Sequence, residues 1–89
     1  MSESEFEAPD PRFSAFVFYQ TQAGVMFLGQ VADPTSGESS VDLKKAGNVI
    51  DNLEMLREKS KGNLNDSEDK LLTVAIEKMR ELYVSATES

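Results

Sequence analysis

Apolar residues recur at helical spacing over three stretches of the chain. The first runs from Phe13 to Leu28 and is rich in apolar side chains all round. Gly29 follows it, where a left-handed C-terminal cap is wanted. The second runs from Val41 to Lys61, with Leu43, Ala46, Ile50, Leu53 and Leu56 on one stripe and Val49 beside it. Steps of three and four residues place those side chains on one face of a helix. Lys44, Asp51, Glu54 and Glu58 lie off the stripe, and Lys59 and Lys61 suit the negative end of the helix dipole before Gly62 stops it. The third stripe is Leu72, Ala75, Ile76, Met79, Leu82 and Tyr83, with Leu71 and Val84 at its margins. Asn65 with Glu68 three residues later has the form of a capping box, and the helix is expected to fray from Ser85 onward.

Between the first two stretches, Ala32 to Ser40 is dense in turn formers, and Ser40 or Asp42 is placed to cap the second helix. The Asn63-Leu64-Asn65 link is short, so the second and third helices should form an antiparallel hairpin. The expected fold is therefore all-α: a three-helix assembly with that hairpin and an apolar first helix. It occupies residues 13–86 as a single domain. Residues 1–12, with four acids and two prolines, read as a disordered lead-in, although Asp10-Pro11 is itself a helix-opening pair. The competing reading pairs Phe16 to Tyr19, rich in β-formers, as a strand.

The first helix poses the functional question. Phe13, Phe16, Val17, Ala23, Gly24 and Phe27, with Gln20 among them, form a stripe for the core. A second face remains, built from Ala15, Phe18, Tyr19, Gln22, Val25 and Met26. A soluble monomer rarely exposes so much apolar surface, so this face is the candidate interface with a second copy or another protein. The plain alternative is a central helix buried on all sides. Gln20, Thr21 and Gln22 are either polar locks across an interface or solvent-facing. Ala23-Gly24 would admit another helix closely, within the monomer or outside it.

The stretch from Phe13 to Val31 carries no charge. Its mean hydropathy is nevertheless only about 1 per residue over nineteen positions, too low for a spanning helix. Contact with a membrane surface is left as an alternative.

Composition narrows the chemistry. The 89 residues include no Cys, His or Trp. That removes disulfides, thiolate and imidazole metal ligands, and the Cys–His and Ser–His–Asp arrangements. Nothing in the pattern requires a cofactor or metal, and the expectation is a protein that is not an enzyme. The remaining rival is carboxylate-only chemistry or ion binding. Asp33, Glu38 and Asp42 are its nearest candidates, but their spacing departs from the calcium-loop template. Asp51, Glu54 and Glu58 read as a solvated acidic face. The net charge of −7 opposes phosphate backbones, which argues against nucleic acid as a partner. The acidic start, Met1 to Glu5, is unlike a secretory signal, and a cytoplasmic location is expected.

With the segments laid out, the chain resembles a known family. The residues concerned are Phe13-Ser14-Ala15-Phe16-Val17, Gln22-Ala23, Leu28-Gly29, Asp33-Pro34-Thr35-Ser36-Gly37-Glu38, Val41-Asp42-Leu43, Ile50-Asp51-Asn52-Leu53, Leu56 and Lys59-Ser60-Lys61-Gly62-Asn63-Leu64. Together they are similar to small bacterial proteins of the domain of unknown function 1844, over roughly Phe13 to Tyr83. The resemblance implies a short, largely helical protein and supplies no catalytic residue. Where the family tends to have Thr-Pro before the third helix, this chain has Asn65-Asp66; Asn65 retains the capping role.

Overall fold

Asp10 and Pro11 open the first helix, α1 (Pro11–Phe27), two residues earlier than the apolar pattern begins. Proline suits the first helical position because its missing N–H needs no partner there. The Asp10 carboxylate accepts from the backbone N–H of Arg12 at 2.8 Å. The computed structural model describes residues 7–88, so half of the expected lead-in, residues 1–6, lies outside the described residues.

Gly29 ends α1 as its position in the sequence predicts. Its φ is +75°, and the N–H groups of Gly29 and Gln30 donate to the carbonyls of Met26 and Val25 at 3.0 and 3.1 Å. This six-to-one and five-to-two pair is a Schellman closure. The chain then turns on Asp33, whose N–H donates to Glu38 at 2.9 Å and whose Oδ1 accepts from Thr35 N–H at 2.7 Å. It returns alongside the end of α1, where Leu28 and Val41 form an isolated antiparallel bridge and Asp42 N–H donates to Phe27 at 2.7 Å.

Asp42, one of the two proposed caps, starts α2 (Leu43–Lys59) by accepting from Lys45 N–H at 3.0 Å. Arg57 and Lys59 occupy its last turn, against the negative end of the dipole. The third helix, α3 (Asp66–Thr87), opens with the full capping box: Glu68 N–H donates to Asn65 Oδ1 at 2.8 Å, and Asn65 N–H donates to Glu68 Oε1 at 3.0 Å. It does not fray at Ser85. Helical hydrogen bonding reaches Thr87, where the hydroxyl donates to Val84 at 2.7 Å.

Pairings along the helices give their directions. Glu54 pairs with Arg80 while the α-carbon of Gly47 faces the Tyr83 ring, so α2 and α3 are antiparallel. Phe27 meets Lys45 and Gly24 lies against Val49, so α1 is also antiparallel to α2. Asp10 meets Glu68 and Gly24 meets Met79, so α1 runs parallel to α3. All three pairs pack together, and no strand occurs among the described residues. The protein is an all-α three-helix fold.

The shared core confirms the second and third stripes. Ala46, Val49, Ile50 and Leu53 of α2 are buried against Leu72, Ala75, Ile76 and Met79 of α3. From the first segment come Val17 and Leu28, joined by Gly24. A methyl group on Gly24 would lie 2.5 Å from Met79 Sδ and 3.3 Å from Val49 Cγ1, so both other helices pack closely against α1 at this glycine. The close approach proposed for Ala23-Gly24 is thus used inside the monomer.

Two expectations for α1 need correction. The core stripe expected for α1 includes Phe16, yet Phe16 is 49% exposed. At about 100° per residue it points well to one side of Val17, and α2 and α3 cover only the sector centred on Val17 and Gly24. Conversely, α1 is not buried all round, since Phe18 and Tyr19 are 57% and 69% exposed. Phe16 to Tyr19 are helical, which removes the strand alternative.

Candidate functional site

The exposed side of α1 is built by subtraction. Once Val17, Gly24 and Leu28 face the core, the helical period turns Ala15, Tyr19 and Gln22 to the opposite side, and all three are exposed. Phe18 and Phe16 flank them on either edge. Phe18 and Tyr19 meet edge to face with ring centroids 5.8 Å apart, which stiffens part of this face. Val25 and Met26, expected on the same face, are half-buried. Val25 packs against the core, and Met26 borders the depression formed with Asp33, Glu38 and Asp42 by the returning connection. The six proposed residues therefore split: four stand open together, and two sit at the sheltered end of the helix.

The Phe18 edge continues into an apolar groove between α1 and α3. Val17, Phe18, Leu71, Val74 and Ala75 line most of it, with Lys78 at its rim and a volume of about 250 Å³. Thr21 borders the groove, but its hydroxyl is spent on Val17 O at 2.8 Å, so it presents little free polarity there. Val74 is 56% exposed and lies off the α3 core stripe. Pattern reading of α3 missed it, because only the placement of α1 reveals that Val74 borders Phe18.

The acids build no comparable site. Asp33 and Asp42 are each occupied in local turns and caps, and among the described residues no group of three acids is arranged to hold a metal ion. Glu68 is the one buried charged side chain among the described residues. Its Oε1 accepts from Asn65 N–H, and its Oε2 accepts from Asp10 N–H at 2.7 Å. Both oxygens are committed to helix starts. The Arg12 guanidinium, hydrogen-bonded to the Asp10 carboxylate at 2.7 Å, holds Asp10 down at a pKa of about 2, and the Asp10 carboxylate in turn raises the pKa of Arg12. Asp10 is thereby kept anionic, as suits a cap at a positive helix end. A depression of about 460 Å³ between the end of α2 and the start of α3 is lined by charges of both signs, Arg57 and Lys61 against Glu58, Asp66 and Asp69.

Residues 10–85 match the model of a family described as Domain of unknown function (DUF1844). The chain belongs to the DUF1844 family. The match opens at the residue that caps α1 and closes in the last turns of α3, so the DUF1844 unit is the whole three-helix fold. No curated protein and no solved structure matches the chain. The two most specific blocks of the DUF1844 resemblance fall in connections. In Lys59 to Leu64, Ser60 Oγ donates to Leu56 O at 2.6 Å, Asn63 N–H donates to Ser60 O at 2.9 Å, and Leu64 packs onto the core. In Asp33 to Glu38 the hydrogen bonds close the turn on itself. In both blocks these hydrogen bonds are local and shape the path of the chain. No helix among the described residues is long and apolar enough to cross a membrane.

Proposed function

We propose that this chain is a non-catalytic protein-interaction module, a homo-oligomer or a small accessory subunit of a bacterial complex acting in the cytoplasm. The observation that carries the reading is the open face of α1. Phe16, Phe18 and Tyr19 are each about half exposed or more, on a helix that has no charged side chain after Arg12. Aromatic side chains are enriched at the cores of protein interfaces, where charges are depleted. The absence of His and Cys and the full occupation of Glu68 support a role without catalysis.

The test is a Phe16→Glu/Tyr19→Glu double variant, compared with the unaltered chain in native extracts of the source cells. The expected result is a species larger than the monomer for the unaltered chain, lost in the variant, with both purified proteins equally helical by circular dichroism. A variant that unfolds would show that these residues belong to the core. A monomer in the extract for both proteins would defeat the reading.

A further inference from the structure

We infer that the occupant of the open α1 face is a second copy of this chain, paired α1 to α1 about a two-fold axis; this rests on the interaction reading above and names the partner.

Charge is the first argument. Residues 13–32 contain no Asp, Glu, Lys or Arg, while the whole chain carries a net charge of −7. Two such chains repel wherever their charged surfaces face each other. They approach at least cost through the side of α1, which is neutral from Phe13 to its end. A partner recruited by charge complementarity to this acidic protein would be drawn to its charged surfaces instead.

Self-complementarity is the second. Ala15, Tyr19, Gln22 and Met26 follow one another at steps of four, three and four, the spacing of a seam between two helices. Gln22, exposed within that seam, has an amide that both donates and accepts. An amide is its own complement, so a two-fold axis near it lets each copy satisfy the other. Ala15 leaves room at the seam for a partner backbone, and the groove beside Phe18, at about 250 Å³, is large enough for an aromatic ring of the facing copy.

Area is the third. At roughly 200 Å² per aromatic side chain, exposures of 49%, 57% and 69% at Phe16, Phe18 and Tyr19 amount to roughly 350 Å². That is close to half of the roughly 800 Å² per partner found in a standard interface. Ala15, Gln22, the exposed part of Met26 and the groove wall at Val74 extend the same surface.

The experiment is sedimentation equilibrium on the purified full-length chain across a dilution series, at about 0.01 M and about 1 M salt. The expected mass at the concentrated end is twice the 9.8 kDa of the chain, with tighter association at high salt because screening removes the like-charge repulsion. Tyr19→Glu and Gln22→Glu, each at an exposed position, should weaken dimerisation at least tenfold while leaving helicity intact. A monomer at every concentration and salt overturns the inference, whereas a larger species surviving in native extracts would leave the interaction reading standing. A dimer unmoved by both substitutions also overturns it, because the contact would then lie elsewhere. If Tyr19→Glu alone unfolds, Gln22→Glu decides.

Discussion

The carboxylate of Glu68 accepts the backbone N–H of Asp10, 58 residues away in sequence, at 2.7 Å, joining the starts of two parallel helices. One side chain thus serves two helix starts, because its other oxygen closes the capping box with Asn65. Asn65 adds a second tie by donating from Nδ2 to Ala8 O at 3.0 Å.

Glu68→Ala should therefore cost more than an ordinary cap. It removes one hydrogen bond within α3 and leaves the Asp10 N–H without its carboxylate. The expected loss is about 2–3 kcal/mol, at the upper end for a cap combined with an unsatisfied donor. Glu68→Gln, which keeps an acceptor, should lose less. Urea unfolding followed by circular dichroism measures both, and equal losses would show that the carboxylate is not the joint.

Gly24→Ala tests the contact of α1 with its neighbours. The added methyl would sit 2.5 Å from Met79 Sδ, and Met79 is fully buried and cannot swing into solvent. Overpacking of this kind costs about 1–3 kcal/mol, against the gain of up to about 1 kcal/mol that Ala brings to an open helix position. A lower melting temperature is expected. A stabilised variant would mean that the helices part freely at this point.

Acid should reveal the Asp10–Arg12 pair. Asp10 has its pKa lowered from 3.8 to about 2, chiefly by the hydrogen bond from the Arg12 side chain. A lowered carboxylate pKa contributes stability that is complete above 3.8 and is lost as pH falls through about 2. Asp10→Asn keeps a capping oxygen and removes the charge. The stability difference between the unaltered chain and this variant should be constant above pH 4 and shrink between pH 4 and pH 2. A difference that stays constant across that window would contradict the assignment.

The Glu54–Arg80 ion pair across α2 and α3 should matter little. Arg80 is 54% exposed at its side chain and Glu54 29%. Pairs so open to water typically contribute about 0–1 kcal/mol. A double-mutant cycle with Glu54→Gln and Arg80→Gln should return a coupling within that range, and a larger value would mark the pair as part of the hairpin's specificity.

Local chemistry was legible before any tertiary structure. The caps at Asp42 and Asn65, the stop at Gly29, and the stripes of α2 and α3 depend on contacts three to five residues away, and each of these stands where its residue type requires. Their apolar stripes are narrow and edged with charge, so only one orientation toward a core was open to them. For α1 the sequence determined a helix and its length to within two residues, but not its rotation. Its apolar residues go nearly all round, so hydrophobicity there carries no direction. Tertiary packing decided that Val17, Gly24 and Leu28 face inward and that Phe16 joins Phe18 and Tyr19 outside, with Val49 of α2 and Met79 of α3 both packed against Gly24. It also decided the Glu68–Asp10 tie and the groove between Phe18 and Val74. Each of these joins residues more than fifty positions apart, beyond the reach of any helical period.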